Sequence, residues 1–69
     1  MMYYVGERKV NATFYVDKAH TETRTLTQTF KACAETIDKC RESLNKQVAR
    51  YADNPYMIEV KPVSEHFAN

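Results

Sequence analysis

The sequence has a single glycine, two prolines and no tryptophan. One glycine cannot build a phosphate-cradling loop, so nucleotide binding through a P-loop or dinucleotide fingerprint is excluded. It also leaves little for an oxyanion loop, and none of Ser43, Ser64, Cys33 and Cys40 lies in a nucleophile-elbow pattern. No apolar run approaches the ~18 residues of a membrane span, and the opening MMYYVGERK lacks the apolar region of a signal peptide. These absences point to a soluble, cytoplasmic, non-enzymatic chain with no membrane partner. An excess of one charge is missing too. Lys and Arg exceed Asp and Glu by one, for a formal net charge of +1. Strong nonspecific nucleic-acid binding needs a clear basic excess. Near-neutrality does little to keep copies apart, so self-association is expected.

Metal ligands are equally sparse. Cys33, Cys40, His20 and His66 form neither a CxxC nor an HxxxH pair, so no metal and no cofactor is expected. Placed seven residues apart on one helix, Cys33 and Cys40 would stand about 10 Å apart along its axis. That is too far for a disulfide. They read as two buried, reduced thiols, which suits a reducing compartment.

What is present is periodicity. From Phe30 to Asp53 the residues Phe30, Cys33, Ile37, Cys40, Leu44, Val48 and Tyr51 recur at steps of three and four. This is one face of an amphipathic helix. Its start falls between Ala32 and Thr36. Alternatively, the preceding strand runs on through Lys31 and Ala32, and Thr36 caps a helix that begins at Ile37. Glu35 with Lys39, and Glu42 with Lys46, are acid-before-base pairs across one turn. Asn54 suits a left-handed terminal residue, and Pro55 cannot continue the helix.

Strand signals flank this helix. Met1–Val5 is apolar and aromatic, and Gly6 marks either a bulge or a turn. Val10, Ala12, Phe14 and Val16 alternate with Asn11, Thr13, Tyr15 and Asp17 as a half-buried strand. After the break at Asp17–His20, threonines occupy every second position from Thr21 to Thr29. Threonine is β-branched and favours strands. Closing the hairpin at residues 18–20 pairs position n with 38 − n, so Ala12 faces Leu26 and Val10 faces Gln28. A third strand runs from Tyr56 to Val63, with Pro62 confining it to a sheet edge. Ser64–Asn69 reads as a short, flexible tail.

The layout is one α+β domain over residues 1–69. It has a three-stranded antiparallel sheet in ββαβ order, arranged 2-1-3, with one helix on one face. The open face carries Tyr3, Asn11, Thr13, Tyr15 and the threonine row. The two sheet edges leave backbone groups unpaired, and the third strand, Tyr56 to Val60, can pair there with its own copy in a dimer or with a partner's strand. Tyrosine and arginine favour binding hot spots. The candidate partner-binding residues are Tyr3, Arg8, Tyr15 and Arg24, with Tyr56 and Ile58 on the third strand. A nucleic-acid-binding module using the tyrosines and the basic hairpin is the alternative, with Glu7, Asp17 and Glu22 breaking up its basic stripe.

The hairpin VNATFYVDKAHTETRTLT, the helix CAETIDKCRESLNKQVARY and the strand YMIEVKPV together resemble, in order and size, small virus-encoded proteins that disarm a bacterial host. These are the anti-CRISPR, anti-restriction and antitoxin-type inhibitors. The resemblance covers most of the chain as an order of elements and carries over no site residues. It implies a phage or mobile-element inhibitor that binds a host defence protein in the host cytoplasm.

Overall fold

In the computed structural model, which describes residues 2–69, three long strands and one helix follow one another. They are β1 (Tyr4–Tyr15), β2 (Thr23–Ala34), α1 (Ile37–Ala52) and β3 (Met57–Ala68). The sheet order is β2-β1-β3, and both pairings are antiparallel. The hairpin register is the expected one, from Tyr4 opposite Ala34 to Tyr15 opposite Thr23. Met1, read from the sequence as part of the first strand, lies outside the described residues.

Alternation decides the two faces of the sheet. Val10 and Ala12 of β1 and Cys40 and Leu44 of α1 are the buried apolar core. The remaining even-numbered residues of β1 share their face. The opposite face carries the threonine row. There Thr13 and Thr25 join hydroxyls at 2.9 Å, and the Thr27 hydroxyl donates to Asn11 Oδ1 at 2.9 Å.

The helix starts later than the favoured reading placed it. β2 continues to Ala34, and Thr36, in extended conformation, accepts the Lys39 N–H at 3.1 Å as N-cap of a helix beginning at Ile37. Phe30 and Cys33 are therefore strand residues. Phe30 still meets the helix, edge-on to Tyr51 at 5.3 Å between centroids. Cys33 does not: it points to the open face and is exposed, while Cys40 alone is buried. The buried thiol donates to the Tyr4 carbonyl at 3.2 Å. Glu35 lies outside the helix; Glu42 and Lys46 do pair, at 3.5 Å. At the other end, Asp53 closes the helix by donating to the Ala49 and Arg50 carbonyls. Asn54 is not left-handed, since His20 is the only non-glycine described residue with positive φ. Its side chain instead accepts the Tyr56 N–H at 2.8 Å.

The third strand is also longer than its sequence signal. It passes through Pro62 and continues to Ala68, pairing Ser64–Ala68 with Lys9–Val5. Two irregularities in the pairing, between Lys9 and Val10 and between Thr13 and Phe14, absorb the extra residues of β3. The proline lacks an N–H and is tolerated because β3 is an edge. The segment read as a tail thus carries structural contacts. Phe67 lies over Gly6, where a β-carbon would stand 2.8 Å from Phe67 Cε1 and 3.2 Å from Leu44 Cδ1. This explains the only glycine. It is neither a turn nor a bulge, but the place where helix and third strand close on the first strand.

Beside Phe67, an ionic cluster ties three elements together. Arg8 donates to Glu65 Oε2 from Nε (2.9 Å) and Nη2 (2.7 Å), and to Asn45 Oδ1 from Nη1 (2.7 Å). Arg41 donates to Glu65 Oε1 at 3.2 Å and lies 5.2 Å from the centre of the Phe67 ring. The hydrogen bonds from Arg8 hold the Glu65 carboxyl below its ordinary value. Desolvation opposes this, and Arg41 adds to it.

Two predictions follow from this corner. Gly6→Ala should lower stability by about 1 kcal/mol in urea unfolding. Overpacking costs about 1–3 kcal/mol, and reduced chain entropy in the unfolded state returns about 0.4–1 kcal/mol. An unchanged midpoint would show that Phe67 yields freely. The second concerns acid. The folded-state pKa of Glu65 is depressed, so its contribution is present above the unfolded value of about 4.3 and is lost as pH falls through the folded value. Between pH 6 and pH 3, Glu65→Gln should therefore lose less of its urea midpoint than the parent protein does.

Candidate functional site

The helix is shorter than the sheet beneath it. Sixteen helical residues extend about 24 Å. Twelve strand residues extend about 40 Å. Because α1 starts beside the Ala34 end of β2, the hairpin end is left uncovered. There Leu26 is 49% exposed on the helix side, and Val16 is exposed in the loop.

The local sequence turns this end into an aromatic cluster. Asp17 organises the loop. Its carboxylate accepts the Thr21 N–H (3.0 Å), the Glu22 N–H (3.1 Å) and the Thr21 hydroxyl, and its carbonyl accepts the His20 N–H (3.2 Å). The Thr21 hydroxyl and then the Glu22 amide are the main causes that hold Asp17 below its ordinary pKa. The loop leaves His20 at φ 57°, in the left-handed region that few non-glycine residues enter and that histidine enters more readily than most. The imidazole therefore lies flat on Tyr15, with 4.5 Å between centroids and 5° between planes. Tyr56 meets the same imidazole edge-on at 5.4 Å and 72°. Its carbonyl accepts the Tyr15 N–H at 2.8 Å, which locks the start of β3 to the end of β1. Beside the cluster is an open depression of about 300 Å³ between Phe14, Tyr15, Val16, Asp17, Asn54 and Tyr56.

The structure thus gathers part of the expected set. Tyr15 and Tyr56 come together, and exposed Ile58 follows two residues into β3. Arg24 pairs with Phe14 and so stands on the opposite, helix-bearing face. Tyr3 is exposed at the far end of the sheet. Arg8 is only 13% exposed, and its guanidinium is committed to Glu65 and Asn45. It positions α1 against β3 and offers nothing to a partner. Sequence reasoning alone finds His20 only as a metal-ligand candidate and not as part of this cluster. Its signal was a ring-bearing residue in the hairpin loop, just beyond a strand ending in tyrosine.

Chemically, the cluster offers aromatic faces with hydroxyl and imidazole edges. Its one carboxylate is used up in the turn. Among the described residues, no three His, Cys, Asp or Glu side chains group closely enough to hold a metal ion. No described helix is long and apolar enough to cross a membrane. No family model, curated protein or solved structure matches the chain.

Replacing Asp17 with Ala should release the loop and unstack His20 from Tyr15. The ring-current shifts of the His20 protons, read by NMR, should then collapse to random-coil values. Retained shifts would mean that ring stacking alone holds the loop.

Proposed function

We propose that this protein acts by binding another protein, without catalysis, through the uncovered hairpin end. The observation that carries this reading is the Tyr15–His20–Tyr56 cluster, on a loop whose amides bond to Asp17, with exposed Val16 next to Tyr15 and exposed Ile58 two residues beyond Tyr56 in the chain. Preordered aromatic groups beside exposed apolar ones are what binding hot spots require, because little side-chain entropy remains to be lost. An inhibitor of a host defence protein, encoded by a phage or mobile element and acting in the host cytoplasm, is the role that size and layout support. Self-association through a sheet edge is part of the same reading, since β2 and β3 both lie at edges.

Nucleic acid is the weaker reading. On the open face Lys31 lies beside Glu7 at 3.9 Å, and Lys61 pairs with Glu59 at 3.0 Å. Lysines paired in this way leave little net field for phosphates.

Tagged protein should retain a partner from bacterial lysate. Against the purified partner, Tyr15→Ala and Tyr56→Ala should each weaken binding about ten-fold or more, the usual scale for an aromatic hot spot. Unchanged affinity in the double variant would remove the hairpin end from the interface. A complex with DNA or RNA whose affinity falls steeply with salt would favour the alternative.

A further inference from the structure

The two sheet edges are not equivalent. On β3 the edge is broken by two pairing irregularities, by Pro62, and by the ion-paired Lys61 and Glu59. Such devices discourage strand addition. On β2 the pairing to β1 runs without irregularity from Thr23 to Ala34.

Backbone direction shows which groups the β2 edge presents. The Lys31 carbonyl accepts Gln47 Nε2 at 2.9 Å from the helix, so it points away from β1. Backbone groups alternate along a strand, so Thr23, Thr25, Thr27 and Thr29 also point their N–H and C=O outward. Among the described residues β2 has no neighbouring strand on that side. The free stretch is bounded at both ends. At one end the Lys31 carbonyl is already taken by Gln47. At the other the Thr21 N–H is already taken by Asp17. Residue 26 lies midway between 21 and 31.

We infer that this edge of β2 pairs antiparallel with the same edge of a second copy, about a two-fold axis at Leu26, making one continuous sheet from both copies. The inference rests on the edge-association part of the reading above and names its partner and register. In this register Thr25 pairs with Thr27 of the second copy, and Thr23 with Thr29. Every outward group of these four threonines then gains a partner. The two groups already bonded within each copy, the Thr21 N–H and the Lys31 carbonyl, fall opposite each other where the intermolecular ladder ends. No other two-fold register brings the capped positions together. Side chains agree. Leu26, 49% exposed on the helix side, meets its own copy at the axis. Arg24 faces Gln28, and no like charges stand directly opposed. The hydroxyl ladder formed by Thr13 with Thr25 and Asn11 with Thr27 continues across the join. Isologous pairing of one surface with itself is the commonest route to a dimer.

The test combines mass with register. Sedimentation equilibrium of the full chain should give twice 8.1 kDa at high concentration. Leu26→Lys puts like charges on the axis and leaves both β1 pairings intact, so it should give a folded monomer by circular dichroism and sedimentation. In a Cys33→Ser background, Leu26→Cys should form a covalent dimer under mild oxidation. Directly opposed residues of this non-hydrogen-bonded type lie about 4.5 Å apart at Cα, within disulfide reach. Gln28→Cys in the same background, facing Arg24, should not cross-link. A wild-type mass of 8.1 kDa at every concentration, a dimer that survives Leu26→Lys, or equal cross-linking through position 28 would each overturn the inference. Leu26→Lys leaves Tyr15 and Tyr56 untouched. A wild-type chain that stays at 8.1 kDa yet captures a partner through the hairpin end therefore sinks only the dimer. A dimer indifferent to Tyr15→Ala and Tyr56→Ala in partner binding sinks only the hairpin-end reading.

Discussion

The contact on which the structure depends is the close approach of three elements at Gly6. Leu44 comes down from α1, Phe67 comes across from β3, and a side chain on β1 would hold them apart. Among the described residues only Val10, Ala12, Cys40 and Leu44 are buried apolar side chains, so the core has little redundancy. A domain of this size hides a modest fraction of its surface on folding. It must gain stability from close packing at a few points. The Arg8–Glu65–Arg41 cluster stands beside that corner and joins the same three elements through charge. Packing and electrostatics thus act on one junction, and the far end of the sheet is left to stand on strand pairing.

That division explains why the molecule is long and thin, with extents of 51 × 17 × 12 Å. The helix shields the end of the sheet that holds the junction. Beyond it the hairpin has no second layer, and its order comes from local devices. Asp17 gathers the loop amides, Tyr15 is bonded to the Tyr56 carbonyl, and His20 closes over both rings. The result is a projecting aromatic end that is ordered without being covered, which is the combination a contact surface needs.

Much of this was legible in the sequence, for a physical reason. Two-residue alternation from Val10 to Val16 and through the threonines fixed face and register together, because a one-residue slip would turn the apolar set outward. The helix start was ambiguous because Phe30 fits both the apolar face of the strand and the helical stripe, and the spacing of Cys33 fits the helical stripe alone. Only the Thr36 cap distinguishes them, and it competed with favourable helical spacing. The length of β3 was hidden by Pro62, which usually ends a strand but here occupies an irregular edge. Gly6 was misread because its role depends on residues far away in the chain. The candidate site was half visible. Tyr15 and Tyr56 could be named from residue type. Arg8 was misjudged because nothing local reveals that Glu65 would reach it, and His20 emerged only once the loop geometry was known.

The irregular outer margin of β3 has one more consequence. A sheet with two equally receptive sides can recruit copies without end and grow into a fibre. Here a copy added on one side presents a kinked, proline-bearing strand to whatever comes next. Joining through β2 alone would leave growth no second template, and would protect a chain with little net charge from open-ended polymerisation.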